Sequence, residues 1–176
     1  YPEDGLVLAQ YSRDLKESVP EGDWRARAWN EDQAWFTRGE AQSMVPEKFA
    51  VGARIDVPER LVVRLACLHL VDSVRGQTPA YKKDDLVGGW LRTEVVGIAG
   101  DRLSLQLSGQ THTEKKGRWQ VRDRGSEPIG HERGIKTEFE GRAVWNRKSG
   151  RFVSFELPED KNGVQSISLA VGGIAA

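Results

Sequence analysis

Arg102 to Ser108 alternates strictly, with Leu103, Leu105 and Leu107 on one side and Ser104, Gln106 and Ser108 on the other. A period of two marks a strand with one buried face. Trp90 to Ile98 also reads as a strand, and Ala99-Gly100-Asp101 supplies the turn that makes the two a hairpin. Thr137 to Trp145 and Arg151 to Leu157 form a second hairpin, turned by Asn146-Arg-Lys-Ser-Gly150. In its second strand Phe152, Ser154 and Glu156 oppose Val153, Phe155 and Leu157. Val164 to Val171 fits a final strand, and the apolar run Gly5 to Gln10 fits a short buried strand near the start.

Two segments break this β pattern. Thr37-Arg-Gly-Glu40 is a capping box, in which a Thr side chain and a Glu three residues later satisfy each other's backbone N–H groups. It predicts a short helix over about Arg38 to Met44, closed off by Pro46. Pro58 then opens a second element, and Leu61, Leu65, Leu68 and Asp72 are spaced by four, three and four, which predicts a helix from about Glu59 to Leu70. Val62 and Val63 leave a strand open as the alternative, with Leu61, Val63, Leu65, Cys67, His69 and Val71 on one face. Between the hairpins, Thr113 to Gly134 is polar, charged and Gly-containing, and reads as a long loop.

These elements predict an α+β or mainly β fold. Its centre is a curved antiparallel sheet, or a partly closed barrel, of at least five strands. One or two short helices pack on it, together with an N-terminal arm carrying Trp24, Trp29 and Trp35. Charge divides the chain in the same place. The 176 residues are neutral, but residues 1–56 carry 7 basic and 11 acidic side chains. The expected organisation is one domain, with 1–56 as a strand and Trp-rich arm on a 57–176 β body. Zero net charge argues against a chain that grips nucleic acid through bulk positive charge. No apolar run approaches the roughly 20 residues that span a bilayer as a helix. One cysteine, Cys67, excludes an intramolecular disulfide and a multi-cysteine metal cluster. The chain starts on Tyr1 rather than Met, as a processed chain or a fragment would.

Candidate chemistry is sparse. On a strand, Cys67 and His69 would share a face about 7 Å apart and could contribute to a copper or zinc site, or to a nucleophilic pair. On a helix they diverge, and the plainer reading is a core Cys beside a His bonded to backbone. Glu138 and Glu140 share a sheet face opposite Phe139, as paired carboxylates of a hydrolase would, or as ordinary solvated side chains. Lys115, Lys116 and Arg118 surround Trp119, the mixture of cation and aromatic that grips phosphate or acidic glycan. The bland alternative is a charged loop with Trp119 tucked into the core. Trp24, Trp29 and Trp35 are candidates for a partner or ligand surface, or for anchors that hold the arm to the body. No phosphate-loop, dinucleotide, nucleophile-elbow or zinc-protease motif is present, so no cofactor is implied.

Several stretches together resemble a family of uncharacterised secreted bacterial proteins. They are Asp4-Gly-Leu-Val-Leu, Ser12-Arg-Asp-Leu15, Pro58-Glu-Arg-Leu-Val-Val-Arg-Leu65, His69-Leu-Val-Asp72 with Arg75-Gly76, Leu105-Gln-Leu-Ser-Gly109, and Gly141-Arg-Ala-Val-Trp-Asn-Arg-Lys-Ser-Gly-Arg-Phe-Val-Ser-Phe155. The resemblance implies export, to a secreted or periplasmic location, and no activity. The first functional expectation is a non-catalytic binding or assembly module with a protein partner or a second copy of itself. The alternative is a carrier holding a small apolar ligand inside a curved sheet, and a hydrolase is the third.

Overall fold

The computed structural model describes residues 4–12, 30–69, 80–119, 129–157 and 170–171, and strands dominate it. A small sheet is ordered β2-β1-β8, from β1 (Leu6–Ser12), β2 (Asn30–Phe36) and the two-residue β8 (Ala170–Val171). The larger sheet runs β3-β4-β5-β6-β7, all antiparallel, from β3 (Arg54–Asp56), β4 (Leu86–Ala99), β5 (Arg102–Trp119), β6 (Ile129–Asn146) and β7 (Arg151–Glu156). Helices α1 (Arg38–Gln42) and α2 (Glu59–Arg64) lie between the strands in sequence. Strands β3 and β7 are opposite edges of the large sheet and do not pair with each other. The sheet is therefore open, and the expected partly closed barrel does not form.

One face of the large sheet is the core. Leu91 and Val95, then Leu103, Leu105 and Leu107, then Phe139, Ala143 and Trp145 are all buried on it. Leu6 and Leu8 of β1, Ala34 and Phe36 of β2, and Leu61 and Leu65 of the second helical segment complete the same cluster. Each fully buried Leu or Phe contributes about 1.5–3 kcal/mol relative to exposure, so this one cluster holds the two sheets and the helices together. The opposite face, with Ser104, Gln106 and Gln110, is turned to solvent. This is the alternation expected from the sequence.

Both hairpin turns form where Gly permits them. Gly100 (φ +56°) closes β4–β5 and Gly150 (φ +62°) closes β6–β7. Both are left-handed positions that a side chain would strain. Asn146 Oδ1 accepts from the backbone N–H groups of Lys148 (2.9 Å) and Ser149 (3.0 Å), fixing the second turn.

Helix α1 starts on the predicted capping box. Thr37 Oγ1 accepts from Glu40 N–H at 3.3 Å, and Glu40 Oε2 accepts from Thr37 N–H at 2.9 Å. The second segment is helical, not a strand, but it changes character midway. Regular α-helix ends at Arg64, and Leu65–His69 winds as a wider π-helical turn.

Two expectations are corrected. Residues 113–119 and 129–134 are strand, not loop, because β5 and β6 pair without a break from Arg102↔Asn146 to Trp119↔Ile129. In β7 the simple alternation fails at a bulge. Trp145 pairs with Phe152 and Val144 with Ser154, so Val153 is the extra residue and stays 47 % exposed. Phe152 instead turns to the core edge and meets Trp145 and Phe155 edge-on, at centroid distances of 4.8 and 5.2 Å.

Candidate functional site

Beyond Leu107, the buried face of β5 changes from leucine to Thr111, Thr113 and then Lys115, and β6 sets Thr137 opposite Thr111. Against this polar end of the sheet lie the π-helical turn and the short 3₁₀ turn Lys83–Asp85. Lys115 Nζ donates to Ala80 O (3.1 Å) and sits 3.3 Å from Asp85 Oδ2. Asp85 in turn accepts from Lys82 N–H at 2.8 Å. That backbone hydrogen bond, helped by Lys115, holds its carboxyl below the usual carboxylate range against the opposing effect of burial.

Cys67 lies in the π-helical turn, buried, with Sγ donating to Lys82 O at 3.3 Å. Burial pushes its thiol up, the Asp85 charge adds to this, and Lys115 only partly offsets them. A thiol held in its neutral form is a poor nucleophile and a poor metal ligand.

His69 ends the same turn and faces elsewhere. Its Nδ1 is 2.8 Å from Asp32 Oδ2, a residue 37 positions away on β2. Asp32 orients this imidazole as the third member of a catalytic triad would, and no local spacing in the sequence announces it. The thiol of Cys67 is engaged with Lys82, not with this ring, so the helical winding separates the pair that a strand would have aligned. Among the described residues, no group of three or more His, Cys, Asp or Glu side chains is placed to hold a metal ion.

The cationic candidates are also divided. Lys115 is on the core side of β5, whereas Lys116 is on the solvent side, 2.8 Å from Glu132. That hydrogen bond and charge raise the Lys116 pKa. Arg118 and Trp119 end β5, where their backbones pair with Gly130 and Ile129, and their side chains lie outside the description. Residues 115–118 therefore form a two-faced strand and not one basic loop. Glu138 and Glu140 are both exposed on the solvent face, with Phe139 buried between them. Trp35 lies on β2, 45 % exposed, with its carbonyl accepting from Arg64 Nη2 at 3.1 Å. Trp24 and Trp29 lie outside the described residues.

Two surfaces were not singled out by the sequence. The first is apolar. Gly52 N–H donates to Val95 O (2.8 Å) and Val95 N–H to Ala53 O (2.9 Å), which lays the loop before β3 along the end of β4. That end of the molecule leaves Phe49 (43 %), Val51 (66 %), Val96 (47 %) and Ile98 (41 %) exposed. Val96 follows the buried Val95 at a bulge, after which the register sets Ile98 opposite Leu103. The second surface surrounds Trp90, on the solvent face of β4. No protein-family model, curated protein or solved structure matches this chain.

Proposed function

We propose that this chain is a non-catalytic binding or assembly module of an exported protein, docking a protein partner through the β3–β4 end of the large sheet. The observation that carries this reading is the group Phe49, Val51, Val96 and Ile98, four large apolar side chains exposed at one end of the sheet. Single exposed apolar residues are ordinary, but several of them at the same end of a sheet can supply the apolar centre of an interface. The polar clusters support the same reading from the other side, since Cys67 is a neutral thiol tied to Lys82 and the Lys115–Asp85 pair is spent on holding local structure. Export rests on the resemblance to secreted bacterial proteins.

Native mass spectrometry on protein taken gently from its source tests this. The expected result is a species heavier than the chain alone, lost when Val51→Lys and Val96→Lys are introduced together. A bare monomer, or a complex indifferent to both substitutions, would overturn the proposal.

A further inference from the structure

The register of the large sheet sets Trp90, Gln110 and Glu138 side by side on its solvent face, one from each of β4, β5 and β6. We infer that this row is a platform for a neutral saccharide, which goes beyond the docking reading and uses a different face of the molecule. Trp90 is 40 % exposed, an unusual position for the largest apolar side chain on a mostly polar sheet face. It is held in place from one side. The Arg92 guanidinium carbon lies 5.6 Å from the ring centroid, and Arg92 Nε donates to Asp56 Oδ1 at 2.7 Å. On the other side, Gly88 leaves the flank of the ring open, because a Cβ there would meet nothing within 4 Å. Beside that gap, His112 is opposite Gly88 and is fixed by Glu114, with Nε2 2.9 Å from Oε1.

The chemistry of this face selects the occupant. A single indole offers an apolar surface on which the C–H face of a sugar ring can lie. Gln110, Glu138 and His112 surround it with planar donors and acceptors suited to ring hydroxyls. Strands are spaced about 4.8 Å apart, so the row from β4 to β6 is roughly 10 Å long, enough for a short stretch of a glycan chain. A polyanion would meet the Glu138 carboxylate beside Lys136, with the Arg92 charge already matched by Asp56. Among the described residues, Val87 is the one other strongly exposed large apolar side chain close to Trp90 on β4, too little for a protein interface core.

Affinity electrophoresis tests the platform on the intact chain, with laminarin, xylan, galactomannan and hydroxyethylcellulose each cast in the gel. At least one should retard the protein, with retardation unchanged in 0.5 M salt. Trp90→Ala should weaken it at least tenfold and Gln110→Ala at least threefold, while Trp90→Phe keeps part of the stacking and part of the binding. Urea midpoints of the three variants within the range of the unaltered chain show that folding is not what changed. Retardation by none of the four polymers, retardation that salt abolishes, or retardation that survives Trp90→Ala would each overturn the inference. None of these outcomes touches the apolar end of the sheet, which Val51 and Val96 test separately.

Discussion

The guanidinium of Arg64 lies 3.2 Å from Oε1 and 3.3 Å from Oε2 of Glu40, so one side chain engages both oxygens of the carboxylate that completes the capping box of α1. The same guanidinium donates to Trp35 O and stacks over Phe36, its central carbon 4.5 Å from the ring centroid. Three elements, β2, α1 and α2, thus meet at one planar cation. Its two-pronged geometry and its flat face are both used.

Arg64→Lys keeps the charge but loses the fork and the stacking surface, and is expected to cost about 1 kcal/mol. Arg64→Ala also removes the charge and the half-buried alkyl stem, and is expected to cost about 2 kcal/mol. Urea unfolding of the two variants beside the parent separates these contributions. Equal losses would show that the stem and the bare charge contribute nothing beyond the fork and the stacking.

Glu40 gives this node a pH dependence of known sign. Burial pushes its pKa up, but hydrogen bonds from Thr37 N–H and Arg64, with the Arg64 charge, outweigh burial and leave it below 4.5. A carboxyl depressed in the folded state stabilises the fold above its unfolded value, and that stability is lost as pH falls through the folded value. Stability measured from pH 6 down to pH 3 should fall less steeply in Glu40→Gln than in the parent. Parallel curves would show that other carboxylates carry the acid response.

Two glycines in the large sheet are there for space and a third is not. A Cβ on Gly109 would collide with the Phe139 ring and with Trp90 O, and one on Gly141 with Glu156 O and Leu157 Cδ1. Gly109→Ala and Gly141→Ala should each cost about 1–3 kcal/mol or more through overpacking. Gly88→Ala meets open space and should be neutral or slightly stabilising, since Gly in a strand costs about 0.5–1 kcal/mol relative to Ala. Thermal unfolding of the three variants checks the ranking.

Cys67 should resist thiol reagents in the folded chain and react in full once urea unfolds it. Its burial and neutral thiol both predict this. Because the folded thiol pKa is raised, the contribution of this group is present below the ordinary value of 9.0 and fades as pH rises beyond it. Rapid stoichiometric modification at pH 8 without unfolding would show the π-helical turn to be open.

At the bulge in β7, Val153→Asp should be tolerated, because the extra residue is already turned outward. Phe152→Ala should cost about 2–3 kcal/mol, somewhat below the roughly 3–5 kcal/mol for a fully buried aromatic. A reversed order would place Val153, as simple alternation has it, in the core.

Where physics is local, these features were legible in the sequence. Thr37 and Glu40 are three residues apart, and the capping box formed as read. The leucines of β5 and the Gly turns gave both hairpins. At 113–119 and 129–134 the strands are not legible in the sequence, because the buried face of β5 there carries Thr111, Thr113 and Lys115, whose polar atoms hide the period of two. They are tolerated because Lys115 finds Ala80 and Asp85, partners 30 or more positions back along the chain. Asp32 beside His69 was invisible for the same reason. Bulges at Val96 and Val153 shift the side-chain period by one residue, and no local composition marks them. Glu138 was noticed as half of a carboxylate pair, whereas its place in a row with Trp90 depends on cross-strand register.

The pairing of β1 with β8 joins the first and last described strands, Leu8 with Val171 and Ala9 with Ala170. Strands β4 to β7 are successive hairpins that need only neighbouring chain to close, whereas the small sheet needs its last strand to arrive. During synthesis, β1 can pair with β2 as soon as both have emerged, and the large sheet can follow, whereas the second edge of β1 stays open until Ala170 and Val171 arrive. Because β1 and β8 run antiparallel, tension applied to β1 from its start and to β8 from its end peels their rungs one after another. With two paired residues against the 18 of β5 and β6, this seam is expected to yield before the large sheet when an unfoldase or translocation motor pulls on it.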